Sequence, residues 1–496
     1  MVPETSSVSC SMRNPSTGHF SLSDDDDVSR YVEEKVKQMA EASRVVSPER
    51  EMAIPRFDVE EVVLGKMLGK GGFSNVYEVR RFDLLDKDIL GSSVGRSCPK
   101  LEAPKEEEIF KKTRVTFEED DSDIDSESNP ENISYPKLLC AESKESFSEY
   151  HEKARSFLSE HCLRESTDPS QKYLAPRYAF KSLRPDIILD CDGVFEMAAV
   201  DLATEAKFLA CLEHPHIIKI RGMVANDIQA FMRGMPSTSY FLVMDSLEET
   251  LDRRLRRWGE ESRSGRFFKR FTDRTGSKRK ELLKARLIVA RNIASALCYL
   301  HDKSIIFRDL KPENVGFDVR GDAKLFDFGF AKELREDERV SDGETKKTTM
   351  CNNPYEMSAP CGSYRYMAPE VVQKQPYNLT ADVYSFGTML YYISSLKKPY
   401  AGYSVDKFKT LVATLQRRPP LPTKDKAWPT DLSELITKSW SPEWQKRPDM
   451  KYMYDQLSIL LFRSDSTVKM GREHAVRRST FVLPRFKFSE EDLELE

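Results

Sequence analysis

Two short polar motifs lie near each other in the second half of the chain and limit what it can fold into. The first runs from Ile305 to Asn314 and contains Asp309 and Lys311; the second, Asp327-Phe328-Gly329, follows after a dozen residues. Carboxylate and amide oxygens are preferred Mg²⁺ ligands, and a lysine ammonium neutralises phosphate charge. Either motif alone could be a surface turn. The spaced pair predicts loops that hold metal-bound phosphates while a hydroxyl is aimed at them.

The residue types suggest one role for each group. We expect Asp309 to accept the proton of the attacking hydroxyl, as a general base does. Asn314 and Asp327 would offer oxygen ligands to magnesium, and Lys311 would neutralise charge on the transferring phosphoryl group.

Composition excludes several classes of protein. The 496 residues carry a formal charge of -4, so no bulk attraction to nucleic acid or membrane is expected, and no run of 18 apolar residues predicts a membrane span. The first thirty residues lack an apolar core, so no secretory signal is expected. Nine scattered cysteines without CxxC spacing indicate reduced thiols in the cytoplasm or nucleus.

A glycine-rich hairpin is predicted near the start of the ordered chain. A strand at Val62 to Leu68 leads into Gly69-Lys70-Gly71-Gly72-Phe73-Ser74-Asn75-Val76. Glycines at 69, 71 and 72 would let backbone amides approach an anionic ligand, and Val76 could pack on a flat base. An ordinary tight turn is the alternative.

A lysine and a glutamate on two predicted elements form a candidate ion pair. Period-two alternation in Tyr178 to Lys181 puts Ala179 and Lys181 on one face of a strand. A helix at Phe195 to Leu212 carries Glu205 on its apolar stripe, where a carboxylate needs a partner. Lys181 is the candidate, and an ordinary flanking glutamate is the alternative.

These parts, in this order and followed by Ala368-Pro369-Glu370, resemble the protein kinases. The resemblance implies an α+β, two-lobed fold with a small β-rich lobe, a larger helical lobe and disordered tails and insertions. It implies a kinase that uses ATP and Mg²⁺, with Lys181 on the phosphates, Met244 as gatekeeper and Leu247 carrying the hinge amide. The nucleotide-site residues so implied are Gly69, Gly71, Gly72, Phe73, Ser74, Val76, Ala179, Lys181, Met244, Asp245 and Leu247.

Three positions depart from the family pattern. Ser74 replaces the third glycine of the hairpin, and Phe307 stands where most kinases have histidine. The latter is mainly a packing site, so an aromatic should be tolerated. Gly316 replaces a larger apolar residue under the adenine, which predicts a roomier pocket.

The resemblance also implies supporting roles in the large lobe. Residues 327–370 would form an activation segment open to an upstream kinase, with Thr345, Thr348, Thr349 and Ser358 as candidate phosphosites. Ser363 would touch the catalytic Asp and Lys. Asp382 would accept backbone donors of the catalytic loop, and Glu370 would pair with Arg447.

The expected domain plan combines one kinase domain with charged additions. It has a disordered tail at 1–55 with one candidate helix near Tyr31 to Ala42, and a C-terminal tail at 463–496. The kinase domain between them covers 56–462, with an acidic insertion at about 82–172 and a basic insertion at about 256–282. Residues 253–286 hold fourteen basic side chains against four acidic ones. They could meet the acidic tract 118–131, an anionic lipid surface, RNA, or only water.

Lys311 after Asp309-Leu310 is typical of serine/threonine kinases, and the Tyr-Arg-Tyr-Met-Ala-Pro-Glu and Trp440…Arg447-Pro448 patterns resemble the tyrosine-kinase-like group. Protein serine and threonine hydroxyls are therefore the expected acceptors. The main competing hypothesis is a pseudokinase scaffold that docks partners through its charged insertions. A nucleic-acid-binding protein is a third interpretation; the sequence leaves substrate and oligomeric state open.

Overall fold

The computed structural model describes nine stretches of the chain, with side chains from Arg30 to Arg463. The described residues are 22–83, 178–184, 187, 194–224, 240–264, 277–340, 354–357, 362–422 and 428–469. The acidic tract 118–131 and the candidate phosphosites at 345, 348, 349 and 358 lie outside these residues.

The small lobe is built on a six-stranded sheet with the strand order β1-β5-β6-β4-β3-β2. Its strands are β1 (Arg56–Phe57), β2 (Val62–Lys70), β3 (Ser74–Phe82), β4 (Tyr178–Leu183), β5 (Ile220–Val224) and β6 (Phe241–Asp245). β1 is parallel to β5, and the other neighbours are antiparallel. β4 is buried along its whole length because it lies inside the sheet.

The described residues include three helices beside this sheet, and two of them lie in the segment predicted as a tail. They are α1 (Leu22–Ala42), α2 (Pro48–Met52) and α3 (Val194–Cys211). The candidate helix near Tyr31 to Ala42 is present as part of α1, which begins earlier, at Leu22. The rest of the described tail was predicted disordered, and that prediction is wrong, because α1 and α2 both pack on α3. Apolar side chains of α1 provide the reason: Val32 is fully buried and Val36 nearly so.

The large lobe is mainly helical. Its helices are α4 (Leu251–Ser264), α5 (Ser277–Asp302), α6 (Pro369–Val372), α7 (Thr380–Ser395), α8 (Val405–Phe408), α9 (Thr430–Ser439) and α10 (Met450–Lys469). Its short strands are β7 (Glu249–Thr250), β8 (Ile305–Ile306), β9 (Val315–Phe317), β10 (Ala323–Leu325) and β11 (Lys332–Glu333). β7, β9 and β10 form one sheet, and β8 pairs with β11.

Two predicted boundaries of this lobe change. The basic segment 256–282 is not a loop where it is described, since its ends belong to α4 and α5. Several of its arginines form ion pairs within α4 or with β7; Arg256 contacts Asp252 at 2.8 Å and Arg257 contacts Glu249 at 2.9 Å. At the other end, α10 continues to Lys469, so its last seven residues, 463–469, belong to the predicted C-terminal tail.

A buried helix supports the centre of the large lobe. Every residue of α7 from Ala381 to Ser394 is buried. It packs on α5 and α9, and α5 packs in turn on α10. The loops between α5 and β11 therefore rest on a rigid base, which is where the two polar motifs of the sequence lie.

Candidate active site

Lys181 is held by the centre of the small-lobe sheet. Its strand pairs with β3 through Val76 and with β6 through Leu242. Ala179, two residues earlier, faces Met244 of β6 in the register. Because β4 is paired with β3 on one side and with β6 on the other, the backbone of Lys181 is fixed and its side chain leaves the sheet on a defined face.

The Lys181 ammonium contacts two carboxylates from distant parts of the chain. Nζ lies 2.5 Å from Glu205 Oε2 of α3 and 2.8 Å from Asp327 Oδ1. The predicted ion pair with Glu205 is present, and its helix begins and ends within one residue of the predicted bounds. Glu205 is 1 % exposed, so the pair is buried.

Burial and the nearby carboxylate charges have opposite effects on the pKa of Lys181. Burial alone would lower the pKa of Lys181, but the charges of Asp327 and Glu205 raise it above its ordinary value. The Lys181 ammonium in turn holds the pKa of Asp327 below its ordinary value. Lys181 therefore stays charged and Asp327 stays ionised at neutral pH, which suits a phosphate contact and a metal ligand.

Asp309 lies in a loop whose polar side chains bond to one another. Its Oδ2 accepts hydrogen bonds from Lys311 Nζ at 2.7 Å and from Asn314 Nδ2 at 3.0 Å. Asn314 Nδ2 also donates to the Asp309 carbonyl at 3.0 Å. No donor among the described residues bonds to the amide oxygen of Asn314, which is left for another partner. The loop thus presents a fixed carboxylate with an adjacent ammonium.

Asp382 accepts hydrogen bonds from the backbone of this loop, as predicted. Its Oδ2 accepts from Phe307 N at 2.8 Å and from His301 at 3.0 Å, and its Oδ1 accepts from Arg308 N at 3.0 Å. Arg308 has a φ of 70°, a conformation that costs an L-residue about 1–3 kcal/mol. The backbone bonds to Asp382 offset that cost.

Phe307 has the packing role that the sequence predicted for it. The side chain is fully buried, and its ring meets Phe328 edge-on with 5.1 Å between ring centroids. The aromatic residue therefore links the Asp309 loop to the Asp327 loop through an apolar contact.

The segment after the Asp327 loop reaches back to Asp309. The contact is made by the backbone N–H of Ser363, which donates to Asp309 Oδ1 at 3.0 Å. Among the described residues, the Ser363 hydroxyl makes no bond to Asp309 or Lys311, so that predicted contact is replaced by a backbone one. Gly362 permits it, because φ is 98° and a Cβ would lie 2.9 Å from both Arg308 O and Asp309 Oδ1.

These side chains converge on one cavity between the lobes. Its volume is about 190 Å³, and Lys181, Glu205, Asp309, Lys311 and Asp327 all line it. The chain positions involved span almost 150 residues, so the sequence predicted this convergence only through its motifs. A shared cavity is what the proposed roles require, because Lys181 and Lys311 would contact the phosphates, Asp327 a metal ion and Asp309 the acceptor hydroxyl, while Glu205 orients Lys181.

The glycine-rich hairpin covers the same cavity. Gly71, Gly72, Phe73 and Ser74 belong to its lining, and Gly71 N donates to Ser74 O at 2.7 Å across the turn. Among the described residues, no atom would lie within 4 Å of a Cβ at Gly72. Packing against the described part of the chain therefore does not require glycine at 72 and leaves space above the backbone for an anionic ligand.

The hinge residues lie outside the lining of that cavity. Met244 is buried in β6, and the Asp245 carboxylate contacts Arg221 at 2.8 Å. Leu247 lies over Gly316, where a Cβ would come within 2.5 Å of Leu247 Cδ1. Leu247 thus occupies the space that a larger side chain at position 316 would take. The roomier adenine pocket predicted from Gly316 is therefore wrong at this position. Assigning Gly69, Val76, Ala179 and these residues to the nucleotide remains a prediction.

The donor set at the metal position fits magnesium. Asn314 has its amide oxygen available, and the half-exposed Asp327 carboxylate uses Oδ1 for Lys181. One carboxylate and one amide are a typical protein share of an Mg²⁺ site whose other ligands are phosphate oxygens and water. Asp327 has a φ of 69°, so its loop is strained into this position.

Sequence reasoning missed one titratable group of the cavity, Asp201 of α3. It lines the cavity, and a Cβ at Gly329 would lie 3.2 Å from Asp201 Cβ. Burial raises the pKa of Asp201 to about 7, with Asp327 and Glu205 adding to the shift and Arg308 and Lys181 opposing it. Its position four residues before Glu205, one helical turn away, was the available signal.

The raised pKa of Asp201 predicts a pH-dependent cost to stability. Since its folded value of about 7 exceeds the ordinary 3.8, the folded chain binds more protons than the unfolded chain between these values. Stability therefore falls as pH rises through this window. Asp201→Asn should raise the free energy of unfolding by about 1–2 kcal/mol at pH 8, with a gain that vanishes near pH 4.

Urea unfolding of wild type and Asp201→Asn between pH 4 and pH 8 measures this difference. Asp337→Asn is the control, because that side chain is 71 % exposed in a surface pair with Arg335. A gain of equal size at both ends of the pH range would contradict the assignment.

The sheet, the helical lobe and the side chains around the cavity are those of a protein kinase. The family model described as protein kinase domain matches residues 177–457, more than half of the chain. This chain belongs to the protein kinase family, and the family expected from the motifs is confirmed. The match begins at 177 and leaves out the hairpin, which the sheet nevertheless joins to β4.

Curated relatives are kinases of several kinds. The serine/threonine/tyrosine-protein kinase HT1 of Arabidopsis thaliana is 31 % identical over 37 % of this chain and 41 % of its own length. The serine/threonine-protein kinase STY46 of the same plant is 33 % identical over 34 % of this chain and 26 % of its own. The cAMP-dependent protein kinase type 3 of Saccharomyces cerevisiae is 30 % identical over 47 % and 45 %. The matches thus span less than half of each relative.

A membrane span was not expected from the sequence, and the helices of the described part of the chain agree with that expectation. None of them is both long enough and apolar enough to cross a bilayer.

Proposed function

We propose that the chain is an active serine/threonine protein kinase that transfers the γ-phosphoryl group of Mg-ATP to protein hydroxyls. The observation that carries this proposal is the shared cavity lined by Lys181, Glu205, Asp309, Lys311 and Asp327. Related proteins with serine/threonine kinase in their names support the choice of acceptor.

The reaction requires each of these side chains for a separate task. The acceptor hydroxyl oxygen bonds to the γ-phosphorus, the bond from that phosphorus to the ADP oxygen breaks, and the hydroxyl proton passes to Asp309. Lys311, 2.7 Å from Asp309, neutralises charge on the moving phosphoryl group. Lys181 holds the remaining phosphates with the orientation that Glu205 and Asp327 give it.

Magnesium would be held by Asn314 and Asp327 and would neutralise phosphate charge in the cleft. The protein contributes the fixed geometry of these two groups. Asn314 is positioned by its own bonds to Asp309, and Phe326 N donates to Asn314 O at 3.1 Å, which joins the two loops.

A pseudokinase scaffold is the second candidate, because a chain may bind nucleotide without transferring phosphate. The structure favours catalysis, since Asp309 is fixed by three donors and lies in the cavity beside Lys311. A scaffold would not need a carboxylate held in that place.

Transfer from γ-labelled ATP to a dephosphorylated protein mixture distinguishes the two functions. We expect label on serine and threonine with Mg²⁺ and at least a hundredfold less after chelation by EDTA. Lys181→Met is the matched variant that should lose transfer. Thermal stabilisation by Mg-ATP without any transfer would reject the kinase proposal and favour the scaffold.

A further inference from the structure

The outer side of α3 is covered by a segment that precedes the kinase-domain match. Val32 and Val36 of α1 join the same apolar core as Ala198 and Ala199 of α3. α1 packs on α3, and α2 packs on it as well. The segment formed by residues 30–57 is called the N-terminal segment below.

The turn after α1 bonds to the strand that follows the Asp327 loop. Ser43 Oγ donates to Glu333 Oε2 at 2.5 Å, and Arg44 N donates to both Glu333 oxygens at 3.1 Å. Ser43 Oγ also accepts from Val46 N at 2.9 Å, which closes the turn. Glu333 is 8 % exposed and lies only six residues after Asp327.

The next residues bond to the C-terminal half of α3. Ser47 N donates to Cys211 Sγ at 3.2 Å, and Arg50 donates to Cys211 O at 3.1 Å. Lys207, two residues after Glu205, contacts Glu51 at 2.7 Å, and both side chains are 19 % exposed.

The end of the segment is anchored in the sheet. Phe57 is fully buried in β1 and stacks on Phe82 with 4.8 Å between ring centroids. Gly222 of β5 makes room for it, because a Cβ there would lie 2.4 Å from the Phe57 ring. The segment therefore has a fixed end from which it can hold α3.

We infer that the N-terminal segment positions α3 for catalysis, with Ser43 and Glu333 as positioning residues. The contact between Glu205 and Lys181 depends on the position of α3, and the contact between Asp327 and Lys181 depends on the position of the Asp327 loop. The 43–47 turn joins these two parts, since it bonds to Glu333 on one side and to Cys211 on the other. The inference rests on the proposed kinase activity.

The Ser43 hydroxyl is the point at which this link can be tested. It donates a charge-assisted hydrogen bond that alanine cannot make and threonine can. Ser43→Ala also leaves Glu333 with only the Arg44 amide from this turn. Loss of the bond should let α3 and the β11 strand move relative to each other, while the catalytic side chains remain unchanged.

The experiment compares wild type, Ser43→Ala and Ser43→Thr in the full chain. Steady-state kinetics should show kcat/KM about tenfold lower in Ser43→Ala and within twofold of wild type in Ser43→Thr. Amide hydrogen exchange of α3 without nucleotide should be about tenfold faster in Ser43→Ala alone. Ser458→Ala is the control, because it removes a hydroxyl that bonds to Tyr454 O in the large lobe.

Two results would overturn the inference. One is unchanged exchange of α3 in Ser43→Ala; the other is faster exchange with kcat/KM equal to that of wild type. Absence of transfer by the wild type would instead reject the proposed function. In that case the exchange of α3 still decides whether the segment holds the helix.

Discussion

Asp309→Asn is expected to lower kcat by a factor of about 10²–10⁴, the usual contribution of a general base. Asparagine cannot accept the hydroxyl proton. It also places an amide group near Lys311 and Asn314, whose nitrogens donate to Asp309 Oδ2 in the wild type. The KM for ATP should change little, because Asp309 acts on the acceptor rather than on the nucleotide.

Initial rates with a serine peptide and varied ATP measure both constants. Asp322→Asn is the control, since it removes an aspartate of the same lobe that is 47 % exposed and pairs with Arg320. We expect its kcat to match the wild type. Equal kcat for wild type and Asp309→Asn would show that the proton is accepted elsewhere and would remove Asp309 from its role.

The sequence predicted best those parts of the site that local patterns determine. The apolar stripe around Glu205 located α3 to within one residue, and alternation in β4 gave Lys181 its face. Both patterns depend only on near neighbours and on the period of one element. The motifs around Asp309 and Asp327 then located the loops, because their chemistry needs particular side chains at fixed spacing.

Contacts between distant segments could not be predicted in the same way. Ser43 and Glu333 are 290 residues apart, and no pattern in either stretch indicates the other. Apart from a candidate helix near Tyr31 to Ala42, the N-terminal tail was predicted disordered because its composition is polar. Val32 and Val36 of α1 are nevertheless buried against the core, and α1 and α2 pack on α3. Leu247 filling the space above Gly316 is a further case, since complementary shapes have no sequence period.

Breaking the ion pair between Glu370 and Arg447 is expected to cause the largest loss of stability. Arg447 Nη1 and Nη2 lie 2.5 Å and 2.8 Å from the two Glu370 oxygens, and both side chains are nearly inaccessible to solvent. Arg447 also donates to Thr380 O and Ser441 O, so one guanidinium joins three segments of the large lobe. The pair was predicted from the sequence and is present.

Glu370→Gln should lower the free energy of unfolding by about 3–5 kcal/mol, because it keeps the shape and leaves a buried guanidinium without its counter-charge. Glu443→Gln is the matched control, since Glu443 contacts Lys446 at 2.6 Å on the surface. That change should cost less than about 1 kcal/mol. The midpoint of urea unfolding measures both variants. If both variants lost a similar amount of unfolding free energy, burial would not be what makes the Glu370–Arg447 ion pair strong. Arg447 would then be stabilised mainly by its backbone acceptors.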